Sequence, residues 1–380
     1  MKKVFGFLHL WLGLFTGLIV FIVSLTGCLY VFHEEITDYV YRNQLVIAPE
    51  SRPMLTPGQL QAAVLNRYPE AKLQRIQWTH QPDRAVEITV KGDRLITVNP
   101  YNGSITGERD LDGNFFEVVE KIHRTLMLGE VGKRIVGVSV LMYLFLLVSG
   151  LILWWPRYKA ALKQKFSIKW AARWRRVNYD VHSVGGFYAL PILLVIAVTG
   201  LVWSFEWWEN GLYRLVGSSP RDRSKVTSTY LPQPSPYPVD RIYARTLALE
   251  PGAEESFLIF PSDSAGVFRV QVRYDKAAFY RKYNNLSFDQ YTGEILREKR
   301  YRDFSTGDVM RGANYDLHTG AILGLPGKIL AFLASLFSAS LPITGFLVWR
   351  GRQKKACKTI EQQARKARRT KVARRSVPQA

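Results

Sequence analysis

Four long apolar segments, separated by polar stretches, dominate the hydrophobicity pattern of this chain. They contain no Asp, Glu, Lys or Arg and cover residues 4–33, 135–155, 183–205 and 329–349. At a rise of ~1.5 Å per residue, about 20 helical residues cross the ~30 Å hydrocarbon core of a bilayer. The pattern therefore predicts four membrane-spanning helices. Four such segments in one chain are not typical of the buried helices of a soluble protein. The first segment is too long for a signal-peptide core and ends at 28–32 without a cleavage site, so we expect a retained anchor.

The two long polar segments, 34–134 and 206–328, carry shorter patterns. Each contains one helix-like stretch, then alternating runs that predict strands, and each closes on a Tyr-x-Gly-x-Ile frame that indicates a turn between two strands. The predicted helices are 56–67 and 238–247, the predicted strands are 73–78, 85–90, 95–98, 256–259, 267–273 and 285–288, and the frames are 101–105 and 291–295. We predict a small α+β domain in each segment. The stretch 217–237, rich in Ser and Pro, is predicted to be a linker or a loop.

The spans repeat. The first and third spans match at four offsets from a histidine, and the second and fourth match at five. Counted from His9 and His182, the matched pairs are Gly13 and Gly186, Thr26 and Thr199, Gly27 and Gly200, and Phe32 and Phe205. Counted from His123 and His318, they are Gly129 and Gly324, Gly132 and Gly327, Lys133 and Lys328, Gly150 and Gly345, and Trp154 and Trp349. Agreement at nine offsets indicates an internal duplication of an outgoing span, an outer domain and an incoming span.

These patterns predict an α-helical membrane protein, a four-helix bundle built from two repeats that each carry an extracytoplasmic α+β domain. The predicted segments are 1–33 (span 1), 34–115 (outer domain A), 116–155 (interfacial segment and span 2), 156–181 (basic loop), 182–208 (span 3), 209–313 (outer domain B), 314–350 (interfacial segment and span 4) and 351–380 (basic tail).

The charge of the chain is concentrated on one predicted side of the membrane. The net charge is +21; the loop 156–181 has eight Lys or Arg and one acid, and the tail 350–380 has twelve and one. Basic residues favour the cytoplasmic side, so both termini and this loop are predicted to be cytoplasmic and both polar segments to lie outside. Anionic lipid headgroups explain this charge more simply than nucleic acid does, and we expect no nucleic-acid partner.

The cysteines limit the redox chemistry. Cys28 lies inside a span and Cys357 in the tail, so no disulfide is expected in the outer domains. Two thiols are too few for an iron–sulfur cluster. The chain has no Cys-x-x-Cys-His motif, so any haem would be held non-covalently.

Four of the six histidines lie near the N-terminal ends of the four spans. His9 and His182 begin outgoing spans and are predicted at the cytoplasmic face; His123 and His318 precede incoming spans and are predicted at the outer face. Each pair is related by the duplication, so its members are expected to face each other across a pseudo-twofold axis. Two imidazoles can fill both axial positions of a haem iron. The sequence therefore predicts two haem sites of two histidines each.

Other interpretations stay open. The histidines are alternatively polar residues at the membrane boundary, ligands of a zinc site, which needs three or four clustered ligands, or parts of a proton or metal transporter, although the spans lack an acidic relay. His33 is an alternative outer ligand, and His80 is expected at the surface. Gly13 and Gly186 leave room for a flat macrocycle or for a close helix.

Polar residues near the histidines have two candidate roles each. Lys133, Arg134 and Lys328 either pair with haem propionates or anchor the chain at the interface. Asp180 and Asp316 are either helix N-caps or hydrogen-bond partners of the imidazoles two residues on. His123 is alternatively placed on a short separate helix. The outer aromatics Trp78, Trp207, Trp208 and Tyr280 are candidates to stack on a ligand.

Two motifs carry a resemblance to a known family. The run His123-Arg124-Thr125-Leu126 with Gly129-Glu130-Val131-Gly132, and the closing Trp154-Trp155-Pro156-Arg157, resemble the PepSY-associated transmembrane proteins of bacterial inner membranes. The resemblance covers nearly the whole chain, with two PepSY-like outer domains, and in character it is nearest to the FoxB-like ferric-siderophore reductases. It implies two b-type haems, each ligated by two histidines, and reduction of iron(III) in a siderophore on the periplasmic side.

The resemblance also bears on partners. Some family members carry a fused reductase module; here the loop is short and the tail has no Gly-rich dinucleotide fingerprint. We therefore expect a separate electron donor, a quinol or a cytoplasmic reductase, and a ferric siderophore as the outer substrate, bound by residues that the sequence does not identify. Two alternative functions stay open: a non-catalytic membrane regulator with PepSY-like domains, and a siderophore permease.

Overall fold

The computed structural model of the chain describes residues 2–156, 158, 162–231, 239–276 and 281–375. The helices are α1 (Lys2–Tyr30), α2 (His33–Val40), α3 (Arg42–Leu45), α4 (Pro57–Arg67), α5 (Phe115–Thr125), α6 (Gly129–Trp154), α7 (Leu162–Lys165), α8 (Trp174–Asp180), α9 (Gly186–Ser204), α10 (Glu206–Leu215), α11 (Val239–Leu249), α12 (Thr306–Thr319) and α13 (Gly324–Arg375). The strands are β1 (Leu73–Thr79), β2 (Val86–Val90), β3 (Arg94–Val98), β4 (Ile105–Asp110), β5 (Glu255–Ile259), β6 (Val267–Lys276), β7 (Arg281–Asp289) and β8 (Ile295–Lys299).

The chain divides into two compact units. The helical unit contains Met1–Cys28, Ile122–Ser204 and Ile329–Ala380, and the sheet unit contains Leu29–Lys121 and Phe205–Lys328. Both units are discontinuous in sequence, because the chain passes from one to the other four times.

Four helical stretches are long and apolar enough to cross a membrane: Lys2–Tyr30, Gly129–Trp154, Trp174–Ser204 and Ala321–Gln353. The prediction of a multi-pass membrane protein is therefore confirmed. The third stretch joins α8 and α9 through a single π-helical turn, Val181–Gly185. Within the helical unit, α6 packs along α9, and Leu147 and Leu193 are buried where they meet.

The second span is preceded by a separate helix, α5, as the alternative placement of His123 required. The chain turns sharply between α5 and α6, where Leu126 and Met127 both have positive φ. Gly132 allows this turn: a Cβ at that position would lie 1.6 Å from the carbonyl oxygen of Thr125. At the matched offset in the other half of the chain, a Cβ on Gly327 would lie 2.1 Å from the carbonyl oxygen of Gly320. Both glycines are required by backbone contact.

The sheet unit is organised around one antiparallel sheet of eight strands in the order β4-β3-β2-β1-β5-β6-β7-β8. The sequence predicts one small α+β domain per polar segment; the structure joins the strands of both segments through the pairing of β1 with β5. Ile76 on β1 stands opposite Leu258 on β5, and both are buried in the same apolar core. Burial of these central side chains makes the two halves one folding unit.

Helices α4 and α11 contribute to that core. Leu60 and Val64 from α4 and Ile242 from α11 are fully buried in it. The α4 helix begins as the sequence predicts: Thr56 caps it, accepting from the backbone N–H of Gln59, with Pro57 at the first helical position. The segment 232–238 of the predicted linker, and the aromatic residue Tyr280, lie outside the described residues, as do the side chains of Trp78 and Cys357.

The Tyr-x-Gly-x-Ile frames form the turns into β4 and β8, as predicted. Gly103 and Gly293 have φ of 73° and 69°. L-residues with a side chain rarely adopt this left-handed conformation, which is why glycine stands at the third position of both frames.

Candidate functional site

His9 and His182, the inner histidine pair, face each other in the helical unit. Their ring centroids are 6.5 Å apart and the ring planes are perpendicular. His9 lies in the second turn of α1, and His182 lies in the π-helical turn between α8 and α9. Single π-helical turns are rare in proteins, and those that occur are often at functional sites. Gly185, in the same turn, allows close packing, because a Cβ there would lie 2.5 Å from the Phe337 ring.

The proton on His9 can be assigned from its neighbours. Ser149 Oγ lies 2.9 Å from His9 Nδ1. This hydroxyl donates its single hydrogen to the carbonyl oxygen of Leu146, at 3.2 Å. With that hydrogen on the Leu146 carbonyl, the Ser149 oxygen is available to His9 as an acceptor, which favours the tautomer with the proton on Nδ1. In a neutral imidazole protonated on Nδ1, the lone pair that binds metals is on Nε2.

His182 has the same arrangement on the other side. Thr344 Oγ1 lies 2.9 Å from His182 Nδ1. Its hydrogen is directed at the carbonyl oxygens of Ser340 and Leu341, at 3.0 and 3.1 Å. Thr344 is thus also an acceptor, and Nε2 of His182 also carries the lone pair. A hydrogen bond on the second ring nitrogen is what orients the histidine ligands of protein metal sites.

The two hydroxyls occupy matched positions in the sequence. Ser149 lies 26 residues after His123, and Thr344 lies 26 residues after His318. The next residue is glycine in both cases. A Cβ on Gly150 would lie 3.4 Å from Cε1 of His9, and a Cβ on Gly345 would lie 3.2 Å from Cε1 of His182. Each glycine therefore makes the space that its imidazole occupies.

The spacing of the inner pair is that of two imidazoles on one metal ion. Each metal–imidazole bond is about 2 Å long, so two rings that ligate one ion from opposite sides have centroids about 6 Å apart. The observed 6.5 Å agrees with this spacing. Among the residues described, no group of three or more His, Cys, Asp or Glu side chains is arranged to hold a metal ion.

Gly13 and Gly186, which the sequence analysis placed beside the ligands, face leucines. A Cβ on Gly13 would lie 3.9 Å from Leu146 Cδ2, and one on Gly186 would lie 3.8 Å from Leu341 Cδ2. These are ordinary van der Waals distances, so the two positions favour close helix packing. This is the second of the two alternatives given for these glycines.

His123 lies against the opposite end of α1. Its Nδ1 is 2.9 Å from the carbonyl oxygen of Val23 and 3.2 Å from Thr26 Oγ1. A carbonyl oxygen only accepts, so Nδ1 carries the proton here too, and Nε2 carries the lone pair. Gly27 borders the ring, because a Cβ there would lie 2.9 Å from Cε1 of His123.

His318 belongs to the sheet unit. It is half-buried in the last turn of α12, two residues before Gly320 ends that helix in the left-handed conformation. The sequence pairs it with His123, which belongs to the helical unit. The outer pair therefore stays a prediction from the sequence.

The three basic residues near the outer histidines differ in their surroundings. Lys328 is 8% exposed, and its Nζ lies 2.7 Å from Glu35 Oε1 and 3.5 Å from Glu34 Oε2. Lys133 Nζ is 3.9 Å from Glu130, and Arg134 is exposed. Lys328 is thus engaged by carboxylates of its own unit, while Lys133 and Arg134 are accessible. Their pairing with propionates stays a prediction.

His33 is held by its own helix junction. Its ring stacks on Tyr30 with centroids 4.0 Å apart and an interplanar angle of 12°. Its Nδ1 is 3.0 Å from the carbonyl oxygen of Tyr30, whose hydroxyl donates to Glu120 at 3.2 Å. Since the carbonyl only accepts, Nε2 of His33 carries the lone pair, and its role as an alternative ligand stays a prediction.

The N-cap role, one of the two alternatives for Asp180 and Asp316, was wrong for both residues. Asp180 is not an N-cap: it is the last residue of α8, 2% exposed, and its carboxylate lies 2.9 Å from Arg176 Nε. Asp316 lies inside α12, which is capped by Ser305.

His80 is half-buried, with Nε2 3.2 Å from Ser256 Oγ, and burial lowers the pKa of its imidazole.

Sequence reasoning missed Ser149, Thr344 and Thr26, the hydroxyl residues that contact the imidazoles. A signal was present, because Ser149 and Thr344 share an offset from matched histidines. The matched offsets are those with identical residues, and Ser149 and Thr344 are not identical.

A family model described as the PepSY-associated TM region matches residues 7–352. No curated protein matches the chain. The match covers most of the sequence, so the chain belongs to this family, and the resemblance read from its motifs is confirmed at the level of the family.

Proposed function

We propose that this member of the PepSY-associated TM family is a haem-dependent electron carrier that reduces ferric iron in a siderophore outside the membrane. One observation carries the proposal. Two half-buried imidazoles lie at a spacing that suits a single iron, and each has its Nδ1 within 2.9 Å of a hydroxyl oxygen that donates to a backbone carbonyl. Polar boundary residues would not need this pairing of spacing and tautomer.

His9 and His182 would hold the iron of the inner haem, each through Nε2. A bound haem supplies reversible one-electron chemistry. Ser149 and Thr344 hold the two rings in the required tautomer and orientation. Two histidine ligands leave no vacant position for oxygen, so the protein's residues favour electron transfer over oxygen binding.

The second proposed haem rests on the sequence duplication. His123 and His318 are its proposed ligands, with His33 as the alternative. Thr26, which contacts His123, has its counterpart in Thr199 at the same offset from the inner histidine. Lys133, Arg134 and Lys328 are proposed to balance the propionate charge.

The charge distribution along the chain sets the proposed direction of electron transfer across the membrane. With the basic loop and tail on the cytoplasmic side of a bacterial inner membrane, His9 and His182 are near the donor and His123 is near the acceptor. The donor is a quinol or a cytoplasmic reductase. Reduction to iron(II) weakens the hold of hard oxygen ligands, so a siderophore releases its iron after accepting one electron.

The first test is an absorption spectrum of the purified protein, oxidised and dithionite-reduced, with haem quantified per chain. The proposal expects a low-spin b-type spectrum and two haems. One haem would leave one pair misassigned. No haem, after expression with sufficient haem supply, would overturn the redox function and return the regulator and the permease to consideration.

The second test measures the reaction itself. Protein in vesicles, with a reductant on the side of the basic loop and a ferric trihydroxamate siderophore on the other, should form iron(II) that a ferrous chelator detects. Vesicles without protein, and vesicles with a His182→Ala variant, are the controls. Transport of the siderophore without iron(II) formation would support a permease instead.

A further inference from the structure

Three hydroxyl side chains from three different spans meet inside the helical unit. Tyr143 on α6 lies 2.7 Å, hydroxyl to Oγ, from Ser338 on α13, and Ser338 Oγ lies 2.9 Å from Ser24 Oγ on α1. Ser338 is 1% exposed. The surrounding span segments are apolar, and a buried hydroxyl without a partner costs free energy, so this chain of hydroxyls is a specific feature of the packing.

The hydroxyl chain continues to His123. Ser24 follows Val23 directly in α1, and the carbonyl oxygen of Val23 accepts from His123 Nδ1 at 2.9 Å. One peptide unit therefore separates the last hydroxyl from the hydrogen bond to the outer imidazole. From Tyr143 to His123 the links are two hydroxyl contacts, one short stretch of backbone and one hydrogen bond.

The same chain reaches the inner pair through α6. Tyr143 precedes Ser149 by six residues, about 9 Å along the helix axis. Ser149 contacts His9 Nδ1 and donates to the carbonyl of Leu146, one turn beyond Tyr143. Helical hydrogen bonds and covalent bonds thus connect Tyr143 to the His9 side of the bundle.

The position of the contact is also informative. Tyr143 and Ser338 lie 20 residues after His123 and His318, so they are equivalent positions of the predicted duplication, as are His9 and His182. The midpoint of two positions related by a twofold axis lies on that axis. Under the predicted duplication, both close pairs would therefore mark the same axis.

We propose that Tyr143, Ser338 and Ser24 form the route of electronic coupling between the inner histidine pair and His123. This rests on the proposed function. Coupling between redox centres falls steeply across van der Waals gaps and less steeply along bonds and hydrogen bonds. One electron would leave the centre that His9 and His182 would hold and would arrive at the centre that includes His123; no bond in the hydroxyl chain breaks, and its hydroxyl protons stay in place.

The route belongs to one repeat only. The counterpart of Ser24 is Ala197, which is buried and has no hydroxyl. The coupling is therefore directed to the outer histidine of the first repeat. A proton relay does not fit the same atoms, because the link from Ser24 to His123 runs through the backbone carbonyl of Val23, which accepts but cannot pass on a proton.

The test compares two serines of α13. Ser338→Ala removes the central link; Ser340→Ala removes a hydroxyl that donates only to the Phe337 carbonyl of its own helix, at 2.6 Å. Flash photoreduction adds one electron to the oxidised two-haem protein, and absorbance then follows the redistribution of that electron between the haems. The external donor and acceptor take no part in this measurement. Haem content, midpoint potentials and the melting temperature of each variant are measured alongside.

We expect Ser338→Ala to slow the internal redistribution several-fold at unchanged haem content and potentials, and Ser340→Ala to leave it unchanged. Tyr143→Phe removes the phenol hydroxyl and keeps the ring, and it should also slow the step. Because the links are in series, Ser24→Ala combined with Ser338→Ala should be no slower than Ser338→Ala alone.

Two results would count against different claims. If Ser338→Ala lowers the melting temperature and redistributes the electron as fast as Ser340→Ala does, the hydroxyls only join helices and the coupling route is overturned. If the wild-type protein holds no haem, the proposed function itself fails.

Discussion

The inner histidine pair and the hydroxyl chain lie in the same bundle and use its two halves differently. At the inner pair each feature is present twice: a histidine, a hydroxyl acceptor and a glycine beside the imidazole. In the hydroxyl chain the matched positions differ, with Tyr143 opposite Ser338 and Ser24 opposite Ala197. Two histidines that ligate one metal ion need equivalent surroundings in both repeats. A coupling route toward one acceptor needs its residues in one repeat only.

The largest effect is expected from removing one member of the inner pair. His182→Ala deletes a proposed axial ligand, so about half of the bound haem should be lost, and the remaining haem should keep its spectrum. Haem per chain is the measurement. His80→Ala is the matched control, because His80 pairs with Ser256 in the sheet unit. Full retention of both haems in His182→Ala would make the inner assignment wrong.

A smaller effect is expected from the hydroxyl acceptors. Thr344→Val keeps the shape of the side chain and removes the acceptor of His182 Nδ1, and loss of such an outer partner typically weakens metal binding by about 10-fold to 100-fold. The midpoint potential of one haem should also rise, because a less polarised imidazole donates less strongly to the oxidised iron. Ser149→Ala should act alike on His9. If only one of the two variants has an effect, the inner pair is less symmetric than its contacts indicate.

The next smaller effect is expected from substituting the glycines beside the imidazoles. A Cβ on Gly345 would lie 3.2 Å from His182, so Gly345→Ala should displace the ring at a cost of about 1 kcal/mol and weaken haem retention several-fold. Gly351→Ala on the same helix is the control, since among the described residues no atom beyond its chain neighbours and its own helix backbone lies within 4 Å of the added Cβ. Retention after dilution into apomyoglobin measures the difference. Equal retention in both variants would show that the ring tolerates the methyl group.

The smallest effect is expected outside the inner pair, at Glu35. Partial burial acts to raise the pKa of this carboxyl, but the hydrogen bond and charge of Lys328 outweigh it and hold the pKa below its ordinary value. An acid with a lowered folded-state pKa stabilises the protein above its unfolded-state pKa and loses that contribution as the pH falls through the folded value. Glu35→Gln should therefore lower stability at neutral pH by less than about 1 kcal/mol.

That difference should vanish in acid. Melting temperatures of Glu35→Gln and the wild type, measured from neutral pH down to below pH ~4, should converge as the wild-type carboxyl becomes protonated. Glu70→Gln, at an exposed position, controls for the loss of a surface charge. A gap between Glu35→Gln and wild type that persists unchanged at low pH would mean that the contact with Lys328 contributes by packing rather than by charge.

Much of the fold follows from local patterns. The four spans, the helix capped by Thr56 and the turns at Gly103 and Gly293 were predictable, because apolar length, capping chemistry and positive φ depend on neighbouring residues. The joining of β1 to β5 was not, since these strands are separated by about 180 residues, and either strand edge satisfies the same alternating pattern.

The site shows the same division. The sequence by itself predicted which histidines stand near the ends of the spans, which of them are equivalent and on which side of the membrane the basic charge lies, because these depend on order, spacing and composition. Only the tertiary structure decided that His9 and His182 stand 6.5 Å apart, that Ser149 and Thr344 accept their Nδ1 protons, and that three hydroxyls meet inside the bundle. The reason is physical: hydrogen bonds between spans depend on the rotation and height of each helix, and packing of whole helix surfaces sets both.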